Sequence, residues 1–142
     1  MRKNTLIMLC LVFALILAGC GSSPTSSAKI NYGESDIYTE ADMNAAIEVI
    51  KAKINSMEGC VLHSLSYSSD STCNTVDNVA WMIDLAEAYD EHEVFTQCIM
   101  FESSFRSPEQ GGGAWAADEE YTWSWWLARS EGGEWKLMTW GY

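Results

Sequence analysis

Basic residues are scarce in this chain: 8 Lys and Arg stand against 20 Asp and Glu, for a net charge of −12. Nucleic-acid binding needs clustered Lys and Arg to neutralise phosphates. No such cluster is present, so that class of partner is excluded. The same scarcity excludes electrostatic adhesion to anionic lipid. Imidazoles are limited to His63 and His92. Cys60, Cys73 and Cys98 lack the close Cys-x2-4-Cys spacing that zinc sites use, so no metal and no cofactor is expected. No apolar run reaches the ~20 residues that a membrane-spanning helix requires. The longest, residues 6–17, has 12.

Two loops imitate ligand motifs without completing them. Gly111-Gly112-Gly113 is followed by Ala114-Trp115 rather than by the Gly-Lys-Ser/Thr of a phosphate loop, and reads as a flexible connection between strands. Asp70-x-Thr72-x-Asn74 begins like a calcium loop. Thr75 then stands where its glycine belongs and Trp81 where its bidentate Glu belongs. Asp118-Glu119-Glu120 is read as a solvated acidic run.

The N-terminus is better defined. Arg2 and Lys3 precede the apolar run, which has the length of a signal-peptide core and ends in small residues, Leu17-Ala18-Gly19-Cys20. These four residues resemble the lipobox of bacterial lipoproteins. That resemblance implies cleavage before Cys20, a diacylglyceryl group on its thiol, and attachment to a membrane on the extracytoplasmic side. Two acyl chains suffice for stable anchoring where one is marginal. The expected organisation is a signal peptide (1–19), a lipidated Cys20 with a flexible tether (20–37) and a single domain (38–142). Loss of Arg2 and Lys3 lowers the basic count from 8 to 6 against 20 acids, leaving the mature chain at −14. Such acidity serves solubility. Of the three remaining mature cysteines, at most one pair can bridge.

Hydrophobic periodicity gives the elements. Thr39, with Asp42 three residues on, caps a helix whose Met43, Ala46, Ile47, Ile50, Ile54 and Met57 form one stripe, with Gly59 as its stop. Residues 60–68 alternate as a strand, 75–89 form a second helix, and 92–105 a strand apolar on both faces through its middle. Residues 121–130 and 134–141, joined by Glu131-Gly132-Gly133, read as a closing hairpin. The expected fold is α+β: two helices on one face of a curved, mostly antiparallel four-stranded sheet, in the order α-β-α-β-β-β.

This order, with a long first helix and a Trp-rich last hairpin, resembles the cone-shaped nuclear-transport-factor-2-like/cystatin-like group. The Glu58-Gly59-Cys60 and Glu134-Trp135-Lys136 … Trp140-Gly141-Tyr142 segments resemble a family of clostridial-type lipoproteins with no assigned chemistry. The resemblance supplies no catalytic residues.

Six of the seven tryptophans fall in the last 28 residues. Trp123, Trp125, Trp135 and Trp140 are the candidate ligand platform, with Glu102 as an associated acid. Large indoles also pack cores well, so each is read as structural first. His63 or His92, oriented by Glu102, would serve an acid/base enzyme of the cone fold. Without a nucleophile or paired-carboxylate signature, the expectation is a non-enzymatic module on the membrane surface, binding an unspecified protein or small molecule. Its alternatives are a glycan-binding module and a cone-fold enzyme.

Overall fold

The computed structural model describes residues 23–89 and 91–142. The signal segment 1–19 and Cys20 lie outside them. The elements are β1 (Lys29–Asn31), α1 (Glu40–Asn55), β2 (Val61–Tyr67), α2 (Asp70–Cys73), α3 (Val76–Ala88), β3 (Gln97–Arg106), β4 (Glu120–Arg129) and β5 (Lys136–Gly141). The fold is α+β, built on one sheet in the order β1-β2-β3-β4-β5. Only the β1–β2 pair is parallel. The sheet thus has five strands rather than four, and α2 is an extra helix where a polar loop was expected.

The extra strand comes from the stretch read as tether. Lys29, Ile30 and Asn31 pair with Ser64, Leu65 and Ser66, and Ile30 packs on the core. Upstream, Thr25 is buried and bonds the Asn55 side chain, and Pro24 accepts from the Leu62 N–H at 3.0 Å. Residues 23–31 are therefore docked onto the domain, whose lower boundary lies before residue 38.

Helix α1 forms where expected. Thr39 Oγ1 accepts from the Asp42 N–H at 3.2 Å while the Thr39 N–H donates to Asp42 Oδ2 at 3.0 Å, closing a capping box. Met43, Ala46, Ile47, Ile50 and Ile54 are all buried along one stripe. The helix stops before Gly59, because Ser56 caps it and its hydroxyl donates to the Lys53 carbonyl at 2.6 Å. The start of α1 is fastened to the closing hairpin. Arg129 donates to Asp42 Oδ1 at 2.7 Å, its guanidinium lies 4.2 Å from the Trp135 ring, and the Trp135 indole donates to the Asp42 carbonyl at 3.0 Å. Hydrogen bonds from Thr39, then from Arg129, hold the Asp42 carboxyl at about 2.

The two longer helices do not share a face. Strand side chains alternate between faces. On one face Ile99, Phe101 and Phe105 of β3 and Trp125 and Leu127 of β4 join the α1 stripe in a single core. Cys98 and Ala128, of opposite parity, pack with Met82 and Ala86 of α3 in a second core. The expectation of both helices on one face is corrected accordingly. Neighbouring strands supply more apolar surface than α1 alone can cover, and the excess lies on the far side.

Two bulges override simple alternation. One between Leu62 and Ser64 puts Leu62, Leu65 and Tyr67 in the core and leaves Val61 and His63 exposed. The other, opposite Trp126 and Leu127, leaves Leu137 packed on the α1 side and Met138 on the α3 side. Strand β3 begins at Gln97 rather than at residue 92. Its first residues extend past the end of β2, and α2 with its flanks closes that edge. The Cys73 thiol sulfur accepts from the Met100 N–H at 3.1 Å, Asn74 Oδ1 from the Cys98 N–H at 3.3 Å, and Tyr38 OH donates to the Cys98 carbonyl at 2.7 Å. A short polar segment thus takes the place of a strand partner, which is why it coils into a turn of helix.

Candidate functional site

Two of the four candidate tryptophans are interior. Trp125 is fully buried, and its indole donates to Ser103 Oγ at 2.8 Å. Trp135 is buried at the hairpin's start. Trp123 is half-buried, 5.0 Å from Phe105 and 5.8 Å from Trp125 between ring centroids. Trp140, at 40% exposure, stacks on Trp125 and carries the Lys53 ammonium 4.5 Å above its ring. These four side chains belong to the α1 face. Glu102 is exposed on the opposite face, opposite Ser66 and Ser124. The sheet therefore separates Glu102 from the tryptophans it was grouped with.

That opposite face is polar beyond the cover of α3. Ser64, Ser104 and Thr122 form one cross-strand row, and Ser66, Glu102 and Ser124 another. At its border His63 Nδ1 lies 3.0 Å from Glu120 Oε1, and Ser104 Oγ donates to Glu120 Oε2 at 3.1 Å. Glu120, not Glu102, is the carboxylate that orients His63. His92 lies in the segment between α3 and β3.

Cys60, Cys73 and Cys98 are free and buried. Burial raises the Cys60 pKa. Burial, with Cys73 nearby, pushes the Cys98 thiol up to about 12. Beside Cys73, Asp70 accepts from Ser35 Oγ at 2.5 Å and from Tyr67 OH at 2.6 Å. Burial pushes the Asp70 pKa up, but the bonds from Ser35, Tyr67 and the Asp36 N–H outweigh it and hold the carboxyl low. Burial, then Asp70, raises the Tyr67 pKa. This network ties the segment before α1 to α2. Among the described residues no group of three or more His, Cys, Asp or Glu converges to hold a metal, and no helix is long and apolar enough to cross a membrane.

A cleft of about 990 Å³ lies at the loop end of the sheet. Glu58, from the α1–β2 connection, forms one wall. Arg106 at the end of β3 and Glu109, Gln110, Trp115 and Asp118 from the following loop form the rest. Gly111-Gly112-Gly113 reads as a flexible connection, but hydrogen bonds fix the loop around it. Ser107 Oγ donates to the Ala116 carbonyl at 2.6 Å and accepts from the Glu119 N–H at 2.9 Å. The Gly111 and Asp118 N–H groups both reach the Pro108 carbonyl, at 2.9 and 3.0 Å, and Tyr121 OH accepts from the Ala116 N–H at 3.1 Å. Gly111, at φ +64°, has to be glycine: a Cβ there would lie 2.9 Å from the Trp115 carbonyl.

This frame holds Trp115 half-buried at the cleft. Its ring packs 5.6 Å from Phe105, 5.1 Å from Tyr121 and 5.1 Å from Trp123. Arg106 is engaged by Asp118 through two bonds, Nε to Oδ1 at 2.6 Å and an Nη to Oδ2 at 2.7 Å. The arrangement offers a fixed aromatic surface, a neutralised guanidinium–carboxylate pair and two further carboxylates, Glu58 and Glu109. Sequence reasoning passed over Trp115. The signal was a large indole within a Gly-rich loop, outside any strand or helix periodicity.

A second, smaller cleft of about 490 Å³ runs along the free edge of β5 between Tyr89, Met138 and Trp140. Compared with known proteins, the chain matches no family model, no curated protein and no solved structure.

Proposed function

We propose that this chain is a lipoprotein, anchored through Cys20 on the extracytoplasmic side of a membrane, that works as a binding module, and that its ligand contacts the cleft around Trp115. The observation that carries the site is a partly exposed indole held by a hydrogen-bonded loop beside several charged side chains. Preorganised groups bind with a smaller ordering cost, and rigid scaffolds commonly present ligand contacts on such loops. The hairpin tryptophans are assigned to stability. The meander β2–β5 with α1 across one face supports grouping the fold with the cone-shaped nuclear-transport-factor-2-like/cystatin-like proteins. A small-ligand module, the glycan-binding alternative included, then uses the loop end and not the Trp123, Trp125, Trp135, Trp140 set.

The acid/base-enzyme alternative has one observation in its favour, the His63–Glu120 contact at 3.0 Å. Both side chains are about half exposed, and neither lines the cleft.

Two experiments test the proposal. Cys20→Ser should leave the protein uncut or release it from membranes on fractionation; normal processing with full membrane retention contradicts the anchor. The melting temperature of the full chain in detergent is then followed with millimolar choline, spermidine and N-acetylglucosamine. A rise with at least one probe, reduced in Trp115→Phe and abolished in Trp115→Ala, supports the cleft. A rise that survives Trp115→Ala and disappears in Trp140→Phe moves the site to the β5 groove. No rise with any probe contradicts a small-ligand site.

A further inference from the structure

Taking the Trp115 cleft as the ligand site, a reading on which this inference rests, we propose that it selects an organic cation, an alkylammonium group that places its charge against the Trp115 ring and between Glu58 and Glu109. The cleft wall carries three carboxylates and one guanidinium. Arg106 and Asp118 neutralise each other through their paired bonds at 2.6 and 2.7 Å. The charge left over is that of Glu58 and Glu109, so the wall is negative by two.

An anionic ligand would meet both carboxylates, with the one guanidinium already engaged. The field of the mature chain, at −14, further concentrates cations near the surface. A bare metal ion is not the occupant favoured here, because no three liganding side chains converge among the described residues. An inorganic cation would also make no use of the indole. Trp115 decides between cations. Its packing against Phe105, Tyr121 and Trp123 fixes the ring plane, and an indole face attracts an ammonium more strongly than any other aromatic side chain does. A weakly hydrated ammonium with methyl or methylene groups satisfies the ring and the carboxylates together.

The test compares choline with its neutral carbon isostere, 3,3-dimethylbutan-1-ol, by calorimetric titration of the full chain in detergent. The two differ in charge and scarcely in shape. Choline should bind at least tenfold more tightly, and raising the salt from 50 to 500 mM should weaken choline and leave the alcohol unchanged. Glu58→Gln and Glu109→Gln should each weaken choline severalfold, and Trp115→Ala should abolish binding. Because Trp115→Ala also removes ring packing, Trp115→Phe is measured alongside: it keeps an aromatic face and should retain weakened binding at a nearly unchanged melting temperature. Equal affinity for choline and the alcohol overturns the cation assignment. Binding of N-acetylglucosamine but not choline, still lost in Trp115→Ala, overturns the ligand class and leaves the site standing. No saturable binding of any of the three overturns both the cation assignment and the site.

Discussion

The closing hairpin and the loop of residues 107–119 both carry tryptophan, and the side chain is held in place differently in the two. In the hairpin, strand alternation aims Trp125 and Leu127 into the α1 core, where Trp125 loses all exposure and its indole finds Ser103. In the loop no periodicity acts. Backbone bonds to Pro108, Ser107 and Tyr121 set the position of Trp115, leaving it half-buried at the rim of a charged cleft. What sets Trp115 apart is a hydrogen-bonded loop frame that adds to its packing on Phe105, Tyr121 and Trp123.

The largest effect should come from the hairpin. Trp125→Ala removes a fully buried indole and should cost about 3–5 kcal/mol, measured by urea unfolding; a loss under about 1 kcal/mol would mean that the hairpin is not core. Ile50→Ala, on the opposing α1 stripe, should cost about 2–4 kcal/mol, again by urea unfolding. An unchanged midpoint would show that α1 does not pack on the sheet.

A smaller effect should follow at the junction of α1 with the hairpin. The Asp42 carboxyl titrates at about 2 in the folded chain, below the ~3.9 of an unfolded Asp. Its contribution is therefore complete above about pH 4 and lost as the pH falls toward 2. Asp42→Asn should lower stability at neutral pH by about 1 kcal/mol and flatten the acid limb of the stability curve. An acid limb identical to that of the parent protein would remove Asp42 from the junction. The smallest effect should be in the loop: Trp115→Phe should change stability by less than about 1 kcal/mol while weakening any ligand. A collapse in melting temperature would make Trp115 a core residue and dissolve the contrast with Trp125.

Much of this was legible in the sequence. Thr39 and Asp42 mark the helix start through a local hydrogen-bond pattern, and the isoleucine stripe marks its buried side. The α3 boundaries follow from Thr75 and the apolar spacing after it. Local chemistry does not report partners distant in the chain. The bulge at His63, which depends on pairing with β3, breaks the simple alternation expected of residues 60–68. The pairing of residues 29–31 with β2 turns part of a tether into a strand. The face chosen by α3 was implied by the run Cys98–Ile99–Met100–Phe101, apolar on both sides, which two helices can cover only from opposite faces. For the site, strand periodicity drew attention to Trp123, Trp125, Trp135 and Trp140, while Trp115 lacked any period to mark it. The contact of His63 with Glu120 joins residues 57 positions apart and had no local signature.

The contrast between hairpin and loop is tested most directly by the indole N–H resonances of the ¹⁵N-labelled full chain in detergent, assigned by single Trp→Phe variants and followed during titration with choline. The expected result is a saturable shift of Trp115, with a smaller one at its neighbour Trp123, while Trp125 and Trp135 stay still. Saturable shifts at Trp125, Trp135 or Trp140 with Trp115 unmoved would contradict the account and return the ligand site to the hairpin.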